Sequence, residues 1–309
     1  MKLISFEKNE IVSFGVIEEE MIYDLHSIDS SIAGSMLEFL QGGQAQLQLA
    51  KMAIKNSSPS ISADSVKLLS PVTNPPSVRD AYAFRQHVAT ARKNRGLDMI
   101  PEFDEIPIFY FTNHNAVFGP GDFPVLPRHT EKLDFELECA AVIGKGGRDI
   151  HVNEADEHII GFMIMNDFSA RVLQMQEMKL NLGPAKGKDF GSSFGPWLVT
   201  KDELEPYQKS SIDGDRYSLK MTAHVNDIQV SEDILSNMTW TFAQIIERVS
   251  YGVDIFPGDI IGSGTCGTGC FLELNGSKIT DNQWLGAGDN ISLEIEALGN
   301  LTNQIILNG

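Results

Sequence analysis

Residues 133–144, LDFELECAAVIG, constrain the fold more tightly than any other stretch of the chain. Leu133, Phe135, Leu137 and Cys139 alternate with Asp134, Glu136 and Glu138, and the chain runs straight on into Ala140, Ala141, Val142 and Ile143. Period-two alternation marks a β-strand, in which residues two apart share a face. The apolar continuation predicts a central strand rather than an exposed edge, because strands covered on both faces read as unbroken apolar runs. Three carboxylates then stand on one face with no Lys or Arg between them. Asp and Glu are depleted in strands, and neighbouring like charges repel. Either the face is solvated, or the carboxylates share a bound cation. With carboxylates and no clustered His or Cys, that ion would be hard: Mg²⁺, Ca²⁺ or Mn²⁺ rather than zinc.

Charge narrows the possible partners. The 309 residues carry 24 Lys plus Arg against 42 Asp plus Glu, a formal charge of −18. Nucleic acids and anionic membranes both need a basic face, so neither is an expected partner. A hydrophobic content of 42% argues for a packed core over disorder. No apolar run approaches the roughly 20 residues of a membrane span. The opening stretch MKLISFEKNEIVSFG lacks the apolar core of a secretory leader. Cys139, Cys266 and Cys270 are odd in number and lack C-x-x-C spacing, so neither a disulfide framework nor a zinc knuckle is expected. A reducing, cytoplasmic location fits this usage best.

Residues 2–25 read as short strands. A helix follows through Met36, Leu37, Phe39 and Leu40, breaks at Gly42-Gly43 and resumes through Leu47, Leu49, Met52 and Ile54. The segment TNPPS (73–77) reads as a linker, since successive prolines continue neither a helix nor a central strand. A boundary near residue 72 therefore divides the chain into 1–72 and 73–309. SVRDAYAFRQHVATARKNRG (77–96) reads as a helix; the rest is mainly strand-like, with further helices after Asp167 and over Phe242–Val249. IIGFMIMNDFSARVLQ (159–174) is an apolar strand ending at Asn166-Asp167 and entering one of those helices. Asp167 is thus either a site carboxylate or a helix N-cap. Arg171 and Gln174, at i and i+3, lie beside each other on one helix face.

DFELE, NDFSARVLQ and GKDFGSSFGPWLV (187–199), in that order and spacing, resemble the fumarylacetoacetate hydrolase family from about residue 75 to the end. The amino-terminal segment resembles the small accessory domain of that family loosely. The resemblance implies a mainly β (α+β) fold, a mixed β-sandwich roll with a small N-terminal β-rich domain, and a homodimer. It implies a divalent metal held by Glu136, Glu138 and Asp167, with Lys188 as the lysine of the third motif. RDAYAFRQHVATARKNRG is similar to the corresponding segment of the fumarylacetoacetase branch. That similarity makes Asp80 a fourth metal ligand, His87 the base, and Tyr82 and Arg95 substrate contacts. SGTCGTGCFLEL (263–274) adds Thr265 as a substrate contact and Glu273 as the partner of the base. IPIFYFTNHN (106–115) adds Tyr110.

Within the same stretch, GSGTCG (262–267) matches G-x-G-x-x-G, the dinucleotide fingerprint, which needs a helix after its last glycine. FLEL reads as a strand, so the glycines are expected to be turn formers. The implied activity is hydrolysis of a carbon–carbon bond in a 1,3-diketo acid, as in tyrosine degradation, with Arg171, Gln174 and Lys188 stabilising the oxyanion. The alternative is a metal-dependent 2-keto acid decarboxylase or isomerase of the same family.

Overall fold

The protein was analysed as a computed structural model that describes residues 1–308. It is mostly β, with mixed sheets. The strand Leu137–Ile143 lies at the centre of the larger sheet and is buried at every position. It runs antiparallel to Ile159–Asn166 on one side and to Ile260–Gly262 on the other. Leu137, Cys139, Ala141 and Ile143 enter one core, while Ala140 and Val142 enter a second on the opposite face. That is the two-sided burial which the unbroken apolar run predicts.

The first core fills the space between this sheet and a five-stranded one. The second sheet is ordered Ile228–Ile234, Lys220–Val225, Asn290–Ile295, Gly299–Leu307 and Gly121–Val125. Phe162 of the larger sheet shares this core with Met221, Leu293 and Leu301 of the smaller one, and with Ile246 of the helix Phe242–Ser250. In the second core, Leu3, Phe14 and Val16 meet Met163, Phe194 and Leu198. Leu3 pairs with Leu198 across the strands Lys2–Lys8 and Ser192–Thr200, so one sheet runs from the amino-terminal strands into the rest. Asn9 and Glu10 both hold positive φ (52° and 67°), the twist of a tight two-residue hairpin between Lys2–Lys8 and Ile11–Glu18. The helices Met36–Gln41 and Gly43–Asn56 meet at the expected glycine break. Among the described residues no helix is long and apolar enough to cross a membrane.

Three local expectations are corrected. Residues 77–96 are not one helix: Val78–Ala81 is a strand, and the helix is Arg85–Lys93. The strand forms because Val78–Ala81 fits between Ile260–Gly262 and Phe109–Thr112 and bonds to both, a non-local pairing that overrides helix propensity. Residues 133–144 are not one strand either. Leu133–Asp134 pairs with Ser169–Ala170, and the ladder breaks where the Glu136 N–H donates to Asn166 Oδ1 at 3.0 Å. FLEL lies in a helix, Phe271–Gly276, with Phe271 and Leu274 buried one turn apart. Its first-turn amides, Phe271 N and Leu272 N, donate to the Asp134 carboxylate at 2.7 and 2.9 Å. A cap supplied from 137 residues away leaves no local signature.

A helix therefore does follow the G-x-G-x-x-G match, but the chain itself accounts for the glycines. A Cβ on Gly262 would come within 2.4 Å of Asp80 Oδ1, and one on Gly264 (φ +77°) within 2.5 Å of the Ala81 carbonyl oxygen. A Cβ on Gly267 would come within 2.8 Å of the Gln86 side chain.

Candidate active site

Asp134, Glu136 and Glu138 are all buried, which removes the solvated-face reading. They divide into two settings. Glu138 joins Asp80, from the strand Val78–Ala81, and Asp167, just past the end of Ile159–Asn166; one oxygen from each of the three lies within 4.8 Å of the others. The Gly264 N–H donates to Asp80 Oδ1 at 3.0 Å, and Ser192 Oγ to Asp167 Oδ1 at 3.1 Å. Tyr110 OH and Lys188 Nζ each reach Asp167 Oδ2 at 2.5 Å. Thr265 Oγ1 donates to Glu138 Oε1 at 3.3 Å, while Glu138 Oε2 finds no hydrogen-bond partner among the described residues.

Burial, then the neighbouring Asp167 charge, push the Asp80 carboxyl up to about 7. Burial, then Asp80 and Asp167, push Glu138 well above the carboxylate range. Asp167 is also raised, by burial first, with the Lys188 cation opposing and the Glu136 charge adding. Three buried carboxyls crowded together, all raised by burial and one with an oxygen that no donor among the described residues reaches, are the donor set of a hard divalent cation. The residues fit such an ion.

Glu136, one of the four expected ligands, lies outside this trio and faces two cations. Arg171 Nη2 reaches Glu136 Oε1 at 2.7 Å, and Lys188 Nζ is bound to Oε2. Burial alone would raise the Glu136 carboxyl, but Lys188 and Arg171 outweigh it and hold it at about 2. Arg171 also donates from Nε to Asp134 Oδ2 at 2.8 Å and from Nη1 to Gln174 Oε1 at 3.0 Å. The like charges on the strand face are thus answered by two cations from later in the chain. The cap of the helix Arg171–Met178 is Ala170, not Asp167.

On the far side of Glu136, His87 Nδ1 and Glu273 Oε2 are 2.6 Å apart and both residues are buried. A carboxylate only accepts, so Nδ1 carries the proton that faces Glu273, and in the neutral ring Nε2 is the nitrogen with the lone pair. The Tyr82 ring meets His87 edge-on at 5.8 Å. Burial, then the Glu136 charge, push the Tyr82 hydroxyl up to about 12. Arg95 stands at the margin of the cluster: it is exposed and its Nε donates to the Ala91 carbonyl oxygen at 3.1 Å, while its charge reaches the Tyr82 hydroxyl. Sequence reasoning missed three participants, namely Ser192, the Gly262 gap, and Cys270 beside His87 and Glu136. Ser192 lies inside the third motif, four residues after Lys188, whereas Cys270 carries no signal of its own.

A β-rich roll with a buried carboxylate trio beside a carboxylate-held histidine defines a metal-type enzyme domain. Residues 77–306 match the family model for the fumarylacetoacetate (FAA) hydrolase C-terminal region, and the chain belongs to that family. It is 30% identical over 286 residues to the mitochondrial oxaloacetate tautomerase of Bos taurus, covering 92% of this chain and 84% of that one. It is 36% identical over 197 residues to the fumarylacetoacetase of Arabidopsis thaliana, covering 54% of this chain and 44% of that one. Among solved structures, the fumarylacetoacetate hydrolase from psychrophilic Exiguobacterium antarcticum superposes with a TM-score of 0.72 at 26% identity, over all of both chains. The relatives' names span a tautomerase and a hydrolase.

Proposed function

We propose that the chain hydrolyses a carbon–carbon bond in a 1,3-diketo acid, fumarylacetoacetate or another acylpyruvate. The observation that carries this reading is the buried His87–Glu273 contact at 2.6 Å, next to Glu136 at the edge of the carboxylate trio. Hydrolysis needs a base for water, and an imidazole whose Nδ1–H is held by a carboxylate has Nε2 free for the task. His87 Nε2 takes a proton from water as the water oxygen adds to the keto carbon. Arg171, Gln174 and Lys188 stabilise the negative charge that develops on the former carbonyl oxygen. The carbon–carbon bond then breaks, one carboxylic acid departs, and the enolate carbon takes a proton back from His87. A divalent ion (Mg²⁺, Ca²⁺ or Mn²⁺) held by Asp80, Glu138 and Asp167, with Glu136 alongside, supplies Lewis-acid polarisation when bound. Tyr82, Tyr110, Thr265 and Arg95 are assigned to the substrate.

A second reading is an isomerase or decarboxylase of a 2-keto acid. It is supported by the 30% identity to an oxaloacetate tautomerase. Keto–enol exchange moves a proton without an attacking water, and decarboxylation releases CO₂. Product analysis separates the readings: an acylpyruvate yields two acids under the first, whereas oxaloacetate is equilibrated or loses CO₂ under the second. His87→Ala is expected to lower kcat for acylpyruvate cleavage by roughly 10²–10⁴ while divalent-ion binding persists; Glu273→Gln has a smaller effect. Near-wild-type cleavage by His87→Ala would remove His87 from the base role.

A further inference from the structure

We propose that His87, Glu136 and Cys270 form a second cation site, one that takes borderline or soft divalent ions such as Zn²⁺ and Cd²⁺. One donor atom from each of the three residues lies within 4.8 Å of the others, and all three residues are buried. The donors are one nitrogen, one oxygen and one sulfur, whereas the neighbouring trio offers oxygens alone. Thiolate and imidazole select Zn²⁺ and softer ions, and carboxylates alone suit Mg²⁺, Ca²⁺ and Mn²⁺. Three protein ligands with a fourth position left open is the arrangement of many zinc centres.

The surroundings hold two of the three ligands in place, whereas burial, then the Asp134 charge, push the Cys270 thiol well above its usual range, so the ion has to displace a firmly held proton. Glu273 holds His87 Nδ1 at 2.6 Å, the carboxylate–histidine contact that orients metal-binding imidazoles and leaves Nε2 to face the ion. Glu136 gives one oxygen to Arg171 and the other to Lys188, and each carboxylate oxygen keeps a further lone pair. Cys270 occupies the N-cap position of the helix Phe271–Gly276 without a side-chain cap hydrogen bond. The Asp134 carboxylate takes the amides of Phe271 and Leu272 instead, so capping does not require the Cys270 sulfur. On binding, the thiol proton passes to solvent and the sulfur donates as thiolate. An ion on Nε2 occupies the lone pair assigned above to the attacking water, so it inhibits hydrolysis. That consequence rests on the reading of His87 as the base, whereas the binding does not.

The test titrates Cd²⁺ into the full-length protein saturated with Mg²⁺ and without substrate. Ultraviolet thiolate-to-Cd²⁺ absorption and equilibrium dialysis are the readouts. One Cd²⁺ per chain with a thiolate band is expected in wild type, with the band lost in Cys270→Ser and retained in Cys266→Ser. Serine is a favourable N-cap, so Cys270→Ser is compatible with the helix. Glu273→Gln is expected to weaken Cd²⁺ binding by about 10–100-fold through the imidazole it orients, which gives a second readout that does not depend on Cys270→Ser. Absence of a band in wild type, persistence of the band in Cys270→Ser, or simple displacement of Cd²⁺ by Mg²⁺ each overturns the site. A diketo acid assay is run separately. Binding without inhibition leaves the site standing and removes His87 from the base role.

Discussion

Lys188 shows how much one side chain settles at this site. Its ammonium is buried, bound to Glu136 and 2.5 Å from Asp167 Oδ2. Burial works against its charge, but Asp167 and Glu136 outweigh burial and hold its pKa above the usual lysine range. Lys188 therefore stays cationic at neutral pH, as a donor to a developing oxyanion must. Lys188→Met is expected to lower kcat by roughly 10²–10³ with little change in KM, read by steady-state kinetics. A rise in KM alone would assign Lys188 to substrate binding. The three strand carboxylates were readable from alternation, and so was the problem of their repulsion. Its resolution was not, because Arg171 and Lys188 lie 35 and 52 residues beyond Glu136 in sequence.

At the scale of elements, the short helix Phe271–Gly276 depends on a carboxylate from the central strand region. Asp134 accepts the amides of Phe271 and Leu272 and also pairs with Arg171 at 2.7 Å. Asp134→Ala leaves the buried Arg171 with one carboxylate fewer and two amides unpaired. Loss of one partner from a buried pair costs about 3–5 kcal/mol, which urea unfolding measures directly. Glu273 rides on this helix, so the same variant is expected to lose activity beyond its loss of stability; unchanged stability would show that Asp134 is dispensable there. The strand reading of FLEL failed because a four-residue apolar pattern fits either period. The helical reading of residues 77–96 failed for a different reason, since Val78–Ala81 is held in the large sheet between neighbours that come from 109–112 and 260–262.

Across the whole molecule, the buried acidic groups couple stability to pH. The Asp80 carboxyl titrates at about 7 in the fold against an ordinary value of 3.8. A raised carboxyl contributes stability below its ordinary value and loses it as pH rises through the folded value. Glu138 and Asp167 are raised as well and act in the same direction. Glu136, held at about 2 against 4.5, acts oppositely, and its contribution is lost only as pH falls through that lower window. Metal-free protein is therefore expected to lose stability as pH rises from about 4 to 7. A divalent ion takes the deprotonated carboxylates and reverses that loss. Thermal melts with chelator and with Mg²⁺ should diverge as pH rises between about 5 and 8; parallel curves would show that no ion binds the trio.

Periodicity and apolar runs are local properties. They were enough to place a buried central strand within 133–144, the break at Gly42-Gly43, the helix beginning at Phe242 and a carboxylate-rich face beside the core, though not the ladder break at 135–136. Motif order was enough to assign the family. Which groups actually meet is not a local property. The chain returns over 186 residues to set Glu273 against His87, and over 184 to set the Gly264 amide on Asp80. Only the assembled fold separates Glu136, facing two cations, from Glu138, left with an oxygen unpaired among the described residues. In sequence these two carboxylates are equivalent neighbours on one strand face. Their charge states are decided by which distant side chains fold down upon each.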